Sequence, residues 1–128
     1  MKRYLDFLNE DNYDETYWSK IIGGKDVTIK ISEIENYLKT APVIKILVDD
    51  IKDMCIHKNK KDETTRKRAD AAELKYPIII SKNLDGKYNM ILDGHHRLQK
   101  AINTNEKFIK AKVLDLKTSP KVYQMMFR

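Results

Sequence analysis

The chain has one cysteine and no long apolar run among its 128 residues. A single cysteine, Cys55, excludes an internal disulfide and a cysteine-rich zinc site. No apolar stretch approaches the roughly 20 residues that a membrane-spanning helix needs. Residues 1–10 also lack the apolar centre of a secretory signal. We therefore expect a cytoplasmic protein that does not contact a membrane.

Charged residues are plentiful, and the formal net charge is +6. The basic residues concentrate in Lys58–Arg68 and in the stretch 107–128, where Asp115 is the only acidic residue. Such clusters permit binding of nucleotides or nucleic acid, although a solvated surface is the alternative. Nucleic acid, contacted through Lys58–Arg68, therefore stays open as a partner. The hydrophobic fraction of 41% suffices for one modest core.

The first 24 residues are predicted to form a helical segment ahead of the main domain. Apolar residues there recur at helical spacing, for example Tyr13 and Tyr17. The glycine pair at 23–24 marks the turn that ends this segment. We therefore divide the chain into a helical segment at 1–24 and a domain at 25–128.

The domain is predicted to open with a strand and a short helix. Val27–Ile31 alternates apolar and polar residues, as a half-buried strand does. Ser32, followed three residues later by Glu35, has the pattern of a capping box. This pattern predicts a helix that begins at Ser32 and continues through Leu38.

A longer helix and a polar loop are predicted next. The apolar stripe from Val43 to Cys55 has helical spacing. Because Cys55 lies on that stripe, we interpret it as a buried structural residue and not as a nucleophile. Residues 57–68 have no apolar member and predict a loop, and a short helix is expected over 69–74.

The second half alternates between strands and helices. In order, it predicts a strand at 78–80, a turn at 83–86, a strand at 88–92, a helix after 94, a strand at 108–116 and a short helix within 117–128. The central helix is expected to bury Leu98, Ala101 and Ile102 and to leave Gln99 and Asn103 in water. This order of elements predicts an α+β fold.

The segment that concentrates the most chemistry is the pentad Asp93-Gly94-His95-His96-Arg97 at a strand-to-helix turn. Asp93 is predicted to be the helix N-cap, and Gly94 permits a positive φ or a close approach to a ligand. The next three residues fall in the first helical turn, where N–H groups and the helix dipole favour an anion. The pentad therefore predicts a phosphate site. The alternative is a capping aspartate followed by ordinary surface residues.

Residues 76–116 resemble the ParB/sulfiredoxin superfamily in the order of their motifs. The matching features are the strand Pro77–Ile80, the turn Asp85-Gly86, the strand Met90–Leu92, the pentad, and then a helix and a strand. Val27–Glu35 resembles the opening strand and helix of that family. The resemblance implies a small α+β fold with a mixed sheet, in which the strand-to-helix turn holds nucleotide phosphates.

The residues of the pentad distinguish which members of this superfamily the chain resembles. Sulfiredoxins carry a cysteine where His95 stands, so their reductase chemistry is not expected. ParB partition proteins bind CTP and have Gly-Glu-Arg-Arg at this turn, of which Gly94 and Arg97 match. The sequence Asp-Gly-His-His-Arg occurs in members similar to free-serine kinases and in many phage proteins.

The resemblance implies a role for each residue of the pentad. Gly94 would let the backbone approach the phosphates, and His95, His96 and Arg97 would bind phosphate oxygens. Asp93 and His96 would be catalytic, with Asp93 orienting an acceptor hydroxyl, taking its proton or holding Mg²⁺.

The resemblance also implies ligands and a second carboxylate. Glu33 and Glu35 are the candidates for a carboxylate near the first strand. The expected ligands are ATP, ADP or CTP with Mg²⁺. The activity implied is that of a nucleotide-dependent kinase or NTP hydrolase of phage origin.

Residues 1–10 resemble the capsid-targeting leader of internal proteins in large tailed phages. Such leaders end in a Leu/Ile-x-Glu cleavage site, which Leu8-Asn9-Glu10 fits. A leader would place the protein in a phage capsid before the host cytoplasm, whereas the alternative is an amphipathic helix packed on the domain. Two other functions stay open beside the enzyme: a DNA-binding protein or ParB-like nuclease, and a non-enzymatic injected phage effector.

Overall fold

A computed structural model describes residues 16–55 and 73–128 of the chain. Contacts divide the chain into two compact units, with the boundary between Lys39 and Thr40. The predicted leader at 1–10, the predicted loop at 57–68 and most of the helix predicted over 69–74 lie outside the described residues. No helix in the described ranges is both long and apolar enough to span a bilayer.

The first unit is built on a β-hairpin. Strands β1 (Tyr17–Ile22) and β2 (Lys25–Lys30) pair antiparallel and are joined by Gly23 and Gly24, whose φ angles are +60° and +79°. A two-residue hairpin turn with positive φ at both positions is the geometry that two glycines favour. The helix predicted up to residue 24 is therefore wrong for Tyr17–Ile22, because aromatic and β-branched residues beside such a turn favour strands.

Helix α1 (Ile31–Tyr37) follows β2 without a loop. Lys30 is the last extended residue, and its backbone N–H donates to Oε2 of Glu33 at 2.8 Å. The predicted capping box of Ser32 and Glu35 is therefore wrong by two residues. The helix begins as soon as the pairing of β2 ends, so Ser32 lies inside its first turn.

The second unit contains a four-stranded mixed sheet. Its strands are β3 (Ile44–Leu47), β4 (Ile78–Lys82), β5 (Tyr88–Asp93) and β6 (Phe108–Asp115), in the spatial order β3-β6-β4-β5. The central pair β4 and β6 is parallel, and the two outer pairs are antiparallel. The predicted α+β fold class is confirmed, as are the strands predicted over 78–80, 88–92 and 108–116.

The long helix predicted from Val43 to Cys55 is wrong. The segment forms strand β3, a short helix α2 (Val48–Ile51) and a 3₁₀ turn at Lys52–Met54. The β-branched Ile44 and Ile46 pair with Ala111 and Ile109 of β6. This long-range pairing overrides the helical spacing of the apolar residues.

Two further helices complete this unit, α3 (His95–Asn103) and α4 (Lys121–Phe127). One face of the sheet packs against α2 and α3 in a core whose buried residues include Ile46, Ile51, Ile78, Ile80, Ile91, Leu98, Ala101, Ile109 and Ala111. Each fully buried isoleucine or leucine side chain contributes about 1.5–3 kcal/mol to the free energy of unfolding. Because Leu98 and Ala101 are fully buried, α3 is held firmly on the sheet, and so is the turn that leads into it.

Candidate functional site

The pentad lies at the turn between β5 and α3. Asp93 is the last residue of β5 and pairs with Ile79, and Gly94 is the helix N-cap, with φ +102° and ψ +23°. The glycine N-cap has no side chain that could cap α3, and no acidic residue lies in the first turn of this helix. The prediction of Asp93 as N-cap is therefore wrong, because Asp93 still belongs to the strand and the left-handed turn falls on the glycine.

Packing alone requires a glycine at position 94, without any ligand. A Cβ built there would lie 2.6 Å from Cγ2 of Ile78 and 3.2 Å from Nη1 of Arg97. Ile78 is fully buried at the start of β4. The glycine therefore lets the turn lie directly against β4, and its left-handed φ adds a second demand for glycine.

Arg97 ties the first turn of α3 to the segment before β4. Its Nη1 donates to the backbone oxygen of Pro77 at 3.1 Å and lies 3.6 Å from Oδ2 of Asp93. Its guanidinium carbon lies 6.0 Å from the ring centroid of Tyr76. Within the described residues all its hydrogen-bonding contacts use Nη1. The Arg97 side chain is 26% exposed, and its guanidinium has further N–H donors beyond those on Nη1.

The carboxylate of Asp93 is also accessible, with a side-chain exposure of 38%. A partly exposed i, i+4 pair at 3.6 Å contributes about 1 kcal/mol or less. A doubly charged ligand can therefore compete for Arg97 at little cost. The turn brings together a carboxylate and a guanidinium that flank the start of a helix.

His95 and His96 are the first two residues of α3, and both are half-buried. The Nδ1 atom of each ring is buried. The backbone oxygen of His95 also accepts from Sγ of Cys55 at 3.8 Å. The structure therefore brings both histidines to the turn that the sequence predicted.

Cys55 supports this turn from inside the core. It is buried, as predicted, and its thiol donates to Oε1 of Gln99 at 3.4 Å. Gln99 in turn donates to Oδ1 of Asn103 at 2.8 Å. The prediction that Gln99 faces water is wrong, because the Cys55 thiol gives its amide a partner inside the core.

The remaining predicted site residues, Glu33 and Glu35, lie on α1 in the first unit, and both are exposed. Glu33 accepts a hydrogen bond from the backbone of its own helix start, as described above. The role of either residue as a second carboxylate stays a prediction. Within residues 16–55 and 73–128, no group of three or more His, Cys, Asp or Glu side chains could hold a metal ion.

The sequence analysis did not predict that Tyr76 and the backbone oxygen of Pro77 lie beside Arg97. Tyr76 is 50% exposed, and its ring lies near the cations of both Lys75 and Arg97. The available signal was an aromatic residue directly before the Pro77 that opens β4. Its closeness to Arg97 depends on the pairing of β4 with β5, which local patterns do not reveal.

No family model matches this chain, and no curated protein or solved structure is significantly similar to it. The fold and the turn between β5 and α3 therefore carry the functional argument.

Proposed function

We propose that the turn between β5 and α3 binds the phosphates of a nucleotide and that the protein is a Mg²⁺-dependent phosphotransferase or NTP hydrolase. The single observation that carries the proposal is the start of α3, which has a left-handed glycine as its N-cap and no acidic residue in its first turn. Backbone N–H groups and the helix dipole at such a start favour an anion.

Arg97 adds a fixed positive charge to this helix start. Its contacts to Pro77 and Asp93 hold the guanidinium beside the turn before any ligand arrives. Prior positioning lowers the entropy lost on binding, and a guanidinium fork suits two phosphate oxygens at once. His95 and His96, both partly exposed in the first turn, supply further donors.

Asp93 is the residue best suited to act on the acceptor. It lies four residues before Arg97, and its carboxylate is accessible. In phosphoryl transfer, a bond forms between the acceptor oxygen and the γ-phosphorus, and the bond to the β-phosphate oxygen breaks. The nucleoside diphosphate leaves, and Asp93 takes the acceptor proton. Arg97 and the start of α3 stabilise the charge on the transferring group.

The donor set at the turn fits Mg²⁺ only in a limited sense. Asp93 is the one carboxylate there among the described residues, and Mg²⁺ is commonly bound by one or two carboxylates together with the phosphates of its substrate. When bound, the ion would neutralise phosphate charge. Asp93 would hold it from the protein side.

Thermal unfolding with and without MgADP tests the binding step. At about 100 times Kd, one bound ligand raises the free energy of unfolding by about 2.7 kcal/mol. Replacing the charged donor in Arg97→Gln should weaken binding about 30-fold, since a hydrogen bond to a charged group contributes roughly 1.5–3 kcal/mol. The stabilisation at the same ligand concentration should then fall below about 1 kcal/mol.

Lys117→Gln is the matched control, because it removes one exposed positive charge in the turn after β6. Its stabilisation by MgADP should equal that of the unchanged protein. Asp93→Asn should retain binding of ADP measured without Mg²⁺ and lose at least about 100-fold in phosphate release from MgATP, the range of a lost general base. Equal stabilisation of the Arg97→Gln and Lys117→Gln variants would overturn the proposed site.

A further inference from the structure

A basic groove lies in the second unit, at the end of the sheet where β6 begins. Its volume is about 450 Å³. Three stretches line it: Lys45 of β3, residues 74–75 ahead of β4, and residues 106–110 at the start of β6. None of the pentad residues lines this groove, so it is a separate feature of the surface.

Among the described residues that line the groove, four are lysines and one is acidic. The lysines are Lys45, Lys75, Lys107 and Lys110, and the acid is Glu106. The ammonium of Lys75 lies 3.3 Å from Oε1 of Glu73, which offsets part of its charge. The other three lysines form no ion pair with any residue in 16–55 or 73–128. The groove therefore has a strong excess of positive charge.

Two of these lysines face each other across a strand pair. Lys45 of β3 and Lys110 of β6 are direct partners in the antiparallel register. Like charges at directly opposite positions destabilise a sheet. A bound anion would relieve this repulsion, so the register itself favours an anionic ligand in the groove.

The charges are spread along the groove. Lys107 lies in the bend before β6, Lys110 lies within β6, and Lys45 lies on the neighbouring strand β3. Cations carried by three separate positions suit several phosphates of a strand better than one phosphate group. The ligand that matches is a polyanion.

Aromatic side chains accompany the lysines. Phe108, in the groove, is 46% exposed, and the ammonium of Lys107 lies 5.6 Å from its ring centroid. Tyr76, next to the groove, is 50% exposed, with the ammonium of Lys75 at 5.1 Å from its centroid. Exposed rings beside a positively charged groove are the features with which proteins bind single-stranded nucleic acid, because unpaired bases stack on the rings.

We infer that this groove binds a single strand of nucleic acid, with its phosphates on Lys45, Lys107 and Lys110 and a base on Phe108. Duplex nucleic acid does not match, because its bases are stacked on each other and cannot stack on Phe108. The inference does not depend on the nucleotide site at the turn between β5 and α3.

Fluorescence anisotropy with labelled oligo(dT) and oligo(rU) of ~10 nucleotides, a length within the site sizes of such proteins, tests the inference. Three lysine contacts predict that raising salt from about 50 to about 200 mM weakens binding about 20-fold, and Lys45→Ala/Lys110→Ala should reduce this to about 3-fold. The two oligonucleotides distinguish DNA from RNA as the preferred strand, and binding of either supports the inference.

The matched control is Lys87→Ala/Lys117→Ala, which removes two exposed lysines from turns outside the groove. It should keep the salt dependence of the unchanged protein. Without ligand, Lys45→Ala/Lys110→Ala should melt about 1–4 °C higher, because the cross-strand repulsion is gone. Phe108→Leu should weaken binding about tenfold through lost stacking.

Three results would overturn the inference. They are the absence of any anisotropy change at low salt, an equal loss in the two double-lysine variants, and unchanged binding in Phe108→Leu together with equally tight binding of inorganic polyphosphate. The thermal shift with MgADP separates this inference from the proposed function. Lys45→Ala/Lys110→Ala should keep that shift, and Arg97→Gln should keep oligonucleotide affinity within about twofold.

Discussion

The replacement Gly94→Ala tests how tightly the turn between β5 and α3 is held against the sheet. The added Cβ would lie 2.6 Å from Cγ2 and 3.0 Å from Cβ of Ile78. Ile78 is fully buried and paired in the sheet with Ala111 of β6. Because Ile78 cannot move away without disturbing this pairing, the backbone of the turn must shift.

Two costs add in this variant. An alanine at φ +102° is in a left-handed conformation, which costs about 1–2 kcal/mol. Forcing a methyl group into a filled core costs about 1–3 kcal/mol more. We therefore expect Gly94→Ala to lower the free energy of unfolding by about 2–5 kcal/mol.

Gly86→Ala separates the two costs. Gly86 has a similar φ of +85°, but nothing lies within 4 Å of a Cβ built there. Urea unfolding should show a loss of about 1–2 kcal/mol for Gly86→Ala and an extra loss of about 1–3 kcal/mol for Gly94→Ala. Equal losses in the two variants would refute the contact between Gly94 and Ile78.

Three further predictions concern the supports of the site and of the C-terminal helix. Cys55 is 3% exposed, so a thiol reagent should label it only at the rate of local or global opening, and labelling as fast as a free thiol would contradict its burial. Arg97→Ala should cost about 1–3 kcal/mol in urea unfolding, because the backbone oxygen of Pro77 loses its donor, and a loss below about 0.5 kcal/mol, half the value of an ordinary hydrogen bond, would contradict that role. Asn89 donates to the backbone oxygen of Phe127 at 2.7 Å, so Asn89→Ala should lower stability by about 1 kcal/mol and speed amide exchange in α4, and unchanged exchange there would contradict the contact.

Local patterns predicted the part of the fold that presents the pentad. The apolar residues of β4 and β5 border a turn signal at Asn83–Gly86, and both strands appear where they were predicted. The buried face of α3 was also predicted correctly at Leu98 and Ala101. These elements are set by short-range periodicity and turn chemistry, which a single sequence displays.

Long-range strand pairing determines the secondary structure of the segments that local patterns predicted wrongly. The apolar residues at Ile44 and Leu47 fit a helix by spacing, but β6 provides a partner strand for them much later in the chain. The same register places Lys45 opposite Lys110. No local pattern contains this information, so neither β3 nor the presence of Lys45 in the basic groove could be predicted from the sequence.

The position of the pentad in the fold was predicted, but its contacts were not. All five residues of the pentad lie at one strand-to-helix turn, as the sequence indicated. The N-cap shifted from Asp93 to Gly94 because a left-handed φ falls on the glycine. The contact of Gly94 with Ile78 is tertiary, and a sequence offers no signal for it.

Backbone amide chemical shifts during a titration with MgADP test the central claim most directly. An anion at the start of α3 accepts hydrogen bonds from the N–H groups of its first turn. The largest changes should therefore fall on the amides of residues 94–97, and they should saturate with a single affinity. Saturating changes confined to residues 106–110, or no change at 94–97, would contradict the account.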